Sequence, residues 1–145
     1  MTVTIVGNRK LEIMPVVIME FMAQLPVNAV VQLRRGRTTR AGRFERIVAE
    51  AATRLWLTVK WCEPNPEDGE GQTYFRDVDM VASSDVVLAF FAGDEMSGGT
   101  EHVVEKAMDP SQLVPVYSYG VVDGRLIRIG EHDPNEAWSE MAPKI

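Results

Sequence analysis

Val86-Val87-Leu88-Ala89-Phe90-Phe91-Ala92, residues 86–92, is the longest uninterrupted apolar run in the chain. It predicts a strand over Asp85–Phe91. Because its apolar character does not alternate, both faces of that strand must be covered. Working outward, Gln72–Ala82 reads as a helix with Phe75, Val78, Met80 and Val81 apolar, and Gly98–Met108 as the helix that follows the strand. Leu113–Tyr119 is a further strand, and Asp123-Gly124 marks a hairpin turn into Arg125–Ile129. Upstream, Thr2–Val6 is β-branched and stops at Gly7. Pro15 opens a helix across Met14–Gln24 that ends near Pro26, and Val27–Leu33 is the next strand. Thr38 or Thr39 is expected to cap a helix running to about Arg54, with Phe44, Ile47, Val48, Ala51 and Leu55 on one stripe. Leu55–Trp61 completes the strands, Glu63–Gly71 reads as loop, and Asp133-Pro134 is expected to start a short helix through Met141.

Strand and helix alternate from end to end, which is the pattern of a parallel sheet with helices on both faces. The expected fold is a single α/β domain over residues 1–145, three-layered and Rossmann-like. It has a mainly parallel sheet of about five strands in a core at 2–119, then a C-terminal hairpin and short helix at 120–145.

The 145 residues include one cysteine, Cys62, which excludes a disulfide scaffold and a multi-cysteine metal site. The apolar run at 86–92 is far short of the ~20 residues of a membrane helix, and no basic-then-apolar leader is visible. A soluble cytoplasmic protein is expected. The net charge of −6 argues against a general nucleic-acid binder. Yet Arg34, Arg35, Arg37, Arg40, Arg43 and Arg46 fall within thirteen residues beside a single acid, Glu45. Arginine forks suit phosphate oxygens, although such a run also serves as a solvated face paired with acids elsewhere.

In open α/β sheets, ligands bind beyond the carboxyl ends of the strands, where helix N-termini offer unpaired N–H groups and positive partial charge. The segments predicted on that edge are Gly7-Asn8-Arg9, Arg34–Thr39 with Arg35, Gly36 and Arg37, the loop from Cys62 to Gly71 leading to Arg76, and Gly93–Thr100 with Ser97, Gly98, Gly99 and Thr100. Glycine beside Arg, Ser or Thr is what a phosphate cradle requires.

These residues carry a resemblance. Gly7-Asn8-Arg9 resembles the Gly-x-Arg that opens the SLOG superfamily, whose members include lonely-guy phosphoribohydrolases, DprA-type DNA-processing proteins and YspA-like proteins. Arg76-Asp77, Met80-Val81 and Asp85–Phe90 resemble the YspA-like pattern before the fourth strand, and Gly98-Gly99-Thr100 the Gly-Thr turn of the next helix. The resemblance implies a nucleotide or nucleotide-derived ligand with phosphates near Gly7–Arg9 and Gly98–Thr100, and a homodimer. Arg34-Arg35-Gly36 stands where the family has a Gly-Gly turn. Val103 stands where lonely-guy enzymes and nucleoside 2-deoxyribosyltransferases carry their catalytic glutamate. Cleaving an N-glycosidic bond needs a placed carboxylate, so the candidates are Glu101, Asp94 and Glu95.

Three readings follow: a nucleotide-binding sensor or sequestering module, an N-glycosidic hydrolase or transferase, and a nucleic-acid-processing partner, which the charge balance disfavours. No cofactor and no metal is expected, since His102 and Glu105 have helical i,i+3 spacing but lack a third ligand. Trp56 and Trp61 are expected to pack in the core and at a strand end. The helix at 14–25 is apolar nearly all round, so its outer side requires either a second subunit or the chain's own C-terminal segment around Trp138.

Overall fold

The computed structural model describes residues 1–9, 11–36, 41–93 and 98–145. Six strands form one sheet: β1 (Thr2–Gly7), β2 (Val30–Arg34), β3 (Thr58–Cys62), β4 (Val86–Ala92), β5 (Val116–Val122) and β6 (Arg125–His132). Their order is β3-β2-β1-β4-β5-β6, with every pairing parallel except the closing hairpin β5–β6. Four helices cover it: α1 (Pro15–Met22), α2 (Arg43–Arg54), α3 (Gln72–Ala82) and α4 (Gly98–Met108). This is the expected three-layer α/β fold.

Strand parity sorts the core into two layers. Val3, Ile5, Val31, Leu33, Leu88 and Phe90 face α1 and α2, where Phe21 and Phe44 reach Phe90 with ring centroids 4.9 and 5.2 Å apart. Val6, Val87, Ala89 and Phe91 face the other way and pack with Met80, Val81, Val103, Val104 and Ala107 of α3 and α4. Gln32, also turned toward α3, is 1% exposed. Its amide donates to Thr4 Oγ1 (3.1 Å) and the Met80 carbonyl (3.2 Å), while its oxygen accepts from Ser83 Oγ (3.1 Å), so the buried dipole is satisfied.

Several boundaries differ from the sequence reading. Three strands that follow a helix begin later than expected, because the return uses a left-handed residue: Asn28 before β2, Trp56 before β3, Leu113 before β5. Trp56, with φ of +61°, is thereby 92% exposed and not a core residue. The helix α2 begins at Arg43 behind Gly42 without a side-chain cap. Thr38 and Thr39, the expected caps, lie outside the described residues. The loop at 63–71 contains a 3-10 stretch, Pro66–Gly71.

The short terminal helix does not form. Asp133 does accept from the main chain ahead of it, from Ala137 N (3.0 Å) and Trp138 N (2.8 Å), as a cap would. But Glu136 adopts φ of +51°, which an α-helix cannot contain, and the chain turns Trp138 into the core. The Tyr117 hydroxyl donates to the same carboxylate at 2.7 Å. This segment then returns to the end of α1, where Gln24 and Lys144 exchange two hydrogen bonds of 2.8 Å. Among the described residues, no helix is long and apolar enough to cross a membrane.

Candidate functional site

Between β1 and β4 the strand order reverses direction, so the crevice at their carboxyl ends is the topological switch point. Asn8 N–H donates to the Phe90 carbonyl at 3.1 Å, carrying the β1–β4 ladder one residue past the strand. Across the crevice α4 opens at Gly98, whose φ of +74° only glycine adopts freely. Asn8 Oδ1 lies 3.8 Å from where a Cβ on Gly98 would be. That oxygen is buried, and no hydrogen-bond partner for it is found among the described residues. Gly98 and Gly99 are exposed, and no described atom lies within 4 Å of a Cβ built on Gly99. In a helix the first main-chain N–H groups have no intrahelical partner.

Arg34, the last residue of β2, binds these two turns together. Its Nη2 donates to the Gly7 carbonyl at 3.0 Å and to the buried Thr100 hydroxyl at 3.2 Å. Burial lowers its pKa, Asp77 and Glu45 oppose that fall, and Arg76 and Arg9 add to it. Five charged groups from four segments thus meet here, three arginines and two acids. Arg76 is tied to Asp77 at 3.0 Å, both side chains nearly buried, and reaches toward the Arg35 carbonyl at 3.5 Å. Glu45, in the first turn of α2, is buried, and its carboxylate folds back over Gly42, 2.6 Å from where a Cβ there would sit. Its pKa is raised chiefly by that burial, against a bond from its own main chain and the pull of Arg34 and Arg76.

That shift has a consequence for stability. With its folded pKa above the ordinary 4.5, Glu45 holds its proton more tightly in the native state than in the unfolded one. The stability this confers is complete below pH 4.5 and is lost as pH rises through the folded value. Glu45→Gln, neutral throughout, is expected to escape that loss. Melting curves from about pH 4 to about pH 7 should show the variant gaining on the wild type as pH rises.

The other expected residues take different parts. Gly7 is buried, and a Cβ there would lie 2.5 Å from the Phe44 ring. Its small size lets α2 pack on β1, so the cradle is open at Gly98 and Gly99 rather than at Gly7. Arg9 is exposed and Gly36 half-buried. Arg35 pairs with Glu63 at 2.6 Å and lies over the Trp61 ring at 5.1 Å. With Arg34 half-buried and turned to Gly7 and Thr100, and Arg35 paired, the arginine run is not one exposed basic stripe. Arg37, Asp94, Glu95 and Ser97 lie outside the described residues.

Val103 is fully buried against the sheet, Glu101 is half-buried, and Glu105 is exposed beside His102 at 3.8 Å. The Cys62 thiol, pushed up by burial, donates to Gln32 Oε1 at 3.7 Å. Among the described residues, no group of three or more metal-capable side chains occurs. Clefts of about 520 and 330 Å³ flank the C-terminal segment, and none of Arg9, Arg34 or Arg76 lines them.

Sequence reasoning places Arg34 on the predicted edge and Arg76-Asp77 in a motif, but gives Arg34 and Asp77 no part in the site and does not include Glu45. One signal was available. By strand parity Arg34 falls on the face of Gln32, toward α3 and α4, while Val31 and Leu33 face α1 and α2. Compared with protein-family models, curated proteins and solved structures, the chain finds no match.

Proposed function

We propose that this chain binds a nucleotide or nucleotide-derived phosphorylated ligand at the carboxyl edge of its sheet, as a cytoplasmic sensor or sequestering module. The observation that carries the reading is Arg34, a half-buried cation bridging the Gly7 carbonyl and the Thr100 hydroxyl at the switch point. A guanidinium in such a place is costly unless an anion or buried acids balance it. Among the described residues that act on Arg34, Glu45 and Asp77 supply two acids against the arginines Arg9 and Arg76. Beside it stands the N-terminus of α4. The resemblance to the SLOG superfamily at Gly7–Arg9, Arg76-Asp77 and Gly98–Thr100 supports the same ligand class.

A thermal-shift screen over nucleoside mono- and diphosphates, cyclic nucleotides and ADP-ribose-type species tests the proposal. A binder at a hundred times its Kd stabilises the native state by ~2.7 kcal/mol. Arg9→Ala or Arg76→Ala is expected to remove most of that shift. Retention of the full shift in both variants would move the site elsewhere.

A second reading, N-glycosidic hydrolysis or transfer, draws on the buried carboxylates Glu45 and Asp77 at the same edge. Against it stands Val103 where the resemblance calls for a glutamate. Release of free base from the same panel, lost in Glu101→Gln or Glu45→Gln, would promote it.

The reading also includes a homo-oligomer through the helix at 14–25. Ile18, Phe21 and Met22 face inward, but Met14 and Val16 are 63% and 53% exposed. Exposed apolar side chains grouped on one helix favour a partner surface. Solution mass at micromolar concentration is expected to exceed one chain; a clean monomer would end this part of the proposal.

A further inference from the structure

The acid missing from the fourth helix has a counterpart on the second. Glu45 is buried in the first turn of α2, at the carboxyl edge of the sheet, with its carboxylate folded over Gly42. The groups that face it can be named element by element. The first turn of α2 packs through Phe44 on Gly7, whose carbonyl accepts from Arg34 at the end of β2, while Arg76 on α3, with Asp77 bound to it, reaches toward the adjacent Arg35 carbonyl. Arg34 and Arg76 both act on Glu45, and Arg9 after β1 acts on the same Arg34. On α2 itself, Arg43 and Arg46 are exposed. The one ionisable side chain of α1, Glu20, is exposed as well. Arg37 and Arg40 lie outside the described residues.

A bound phosphate would therefore share its arginines with a carboxylate already in place. Resting on the nucleotide-binding reading above, we propose that Glu45 couples ligand binding to proton uptake. An anion seated beside Arg34 and Arg76 is held more tightly once the Glu45 carboxyl carries a proton. The physics is that of two negative charges competing for one set of cations in a poorly screened place. The ionised Glu45 repels the ligand and occupies the field of Arg34 and Arg76, whereas the neutral carboxyl does neither. Reciprocity then requires the bound ligand to raise the proton affinity of Glu45 by the same factor by which the proton raises the affinity for ligand. Burial already favours the neutral form, so little further bias is needed for this step. The ligand's affinity thus increases as pH falls through the titration of Glu45, whereas a phosphate's own protonation near pH ~6 weakens its hold on arginine.

The test compares wild type with Glu45→Gln, using whichever member of the nucleotide panel gives the largest thermal shift. Kd is measured by calorimetry from about pH 5 to about pH 8. Taking the ratio of the two proteins cancels the ionisation of the nucleotide. At the upper pH the variant is expected to bind roughly tenfold more tightly, and the two affinities converge at the lower pH. A ratio that does not change with pH, or a variant that binds more weakly throughout, overturns the coupling while leaving the nucleotide reading intact. Failure of every nucleotide to bind either protein at any pH overturns both. A second measurement needs no variant: the carboxyl carbon of Glu45 in the ¹³C-labelled wild type, assigned through its backbone correlations. Its titration midpoint is expected to rise by about one pH unit when the nucleotide is added, matching a tenfold coupling. An unmoved midpoint overturns the proposal.

Discussion

Arg34→Met is expected to remove most of the nucleotide-induced rise in melting temperature while leaving a folded protein. The guanidinium contributes a charge and two donor contacts at the junction of Gly7 and Thr100. Hydrogen bonds to charged groups are each worth about 1.5–3 kcal/mol, so loss of the one a phosphate would accept lowers affinity by roughly tenfold to a hundredfold. Loosening of the Gly7–Thr100 bridge displaces the start of α4 and adds to this. The fold itself should tolerate the change. Methionine keeps most of the buried stem, and burial of the guanidinium opposed its ionisation from the start. What the variant loses in stability should appear above the titration of Glu45, because Arg76 is then left to balance both Glu45 and Asp77. Arg34→Lys separates charge from shape. A lysine keeps the cation without the two-armed fork, and recovery of part of the shift is the expected result. Full nucleotide response in Arg34→Met would remove the central residue of the proposed site.

The largest effect on stability is expected from a position with no part in chemistry. A Cβ on Gly120 of β5 would lie 2.1 Å from the Gly93 carbonyl oxygen and 3.2 Å from Ile129 Cγ2. The nearer neighbour is main chain, held by the bond from Gly93 N–H to the Val121 carbonyl at 2.9 Å, so no side-chain rotation relieves the contact. Gly120→Ala should therefore cost about 3 kcal/mol or more, lowering the melting temperature by roughly 6–12 °C in a chain of this size. Gly93 is the last described residue before α4, so the same strain should reach the proposed cradle and weaken nucleotide binding in parallel. Gly99→Ala is the control: with no described atom within 4 Å, it is expected to melt within about 1 °C of wild type. Equal melting temperatures for the two variants would show that the Gly93–Gly120 approach is not a constraint on the fold.

The contrast between these positions marks where reading residues in order stops being sufficient. Gly7 and Gly120 are both glycines at or beside strand ends, and nothing in their neighbours along the chain distinguishes them from Gly99. Gly7 is small because Phe44, thirty-seven residues later, fills the space, and Gly120 because the Gly93 carbonyl does. Trp56 shows the opposite error. Within an apolar run it reads as a core residue of a strand, yet the chain needs a left-handed residue to pass from α2 into β3, and the side chain is turned out to water. Asp133 reads as the start of a helix; it does accept from the main chain ahead of it, but Glu136 turns the chain before a helix forms.

The order of strands and helices and the parallel sheet covered on both faces were determined by the sequence alone. Periodicity, turn residues and crossover geometry act over a few residues at a time, so they can be read in order. Tertiary structure alone decided that Arg34 turns inward to Gly7 and Thr100 and which acids meet it. Arg34 touches partners 27 and 66 residues away, and Glu45 and Asp77 approach it from two different helices. Burial and the electrostatics it creates are properties of a neighbourhood, and a neighbourhood assembled from five distant segments has no local signature.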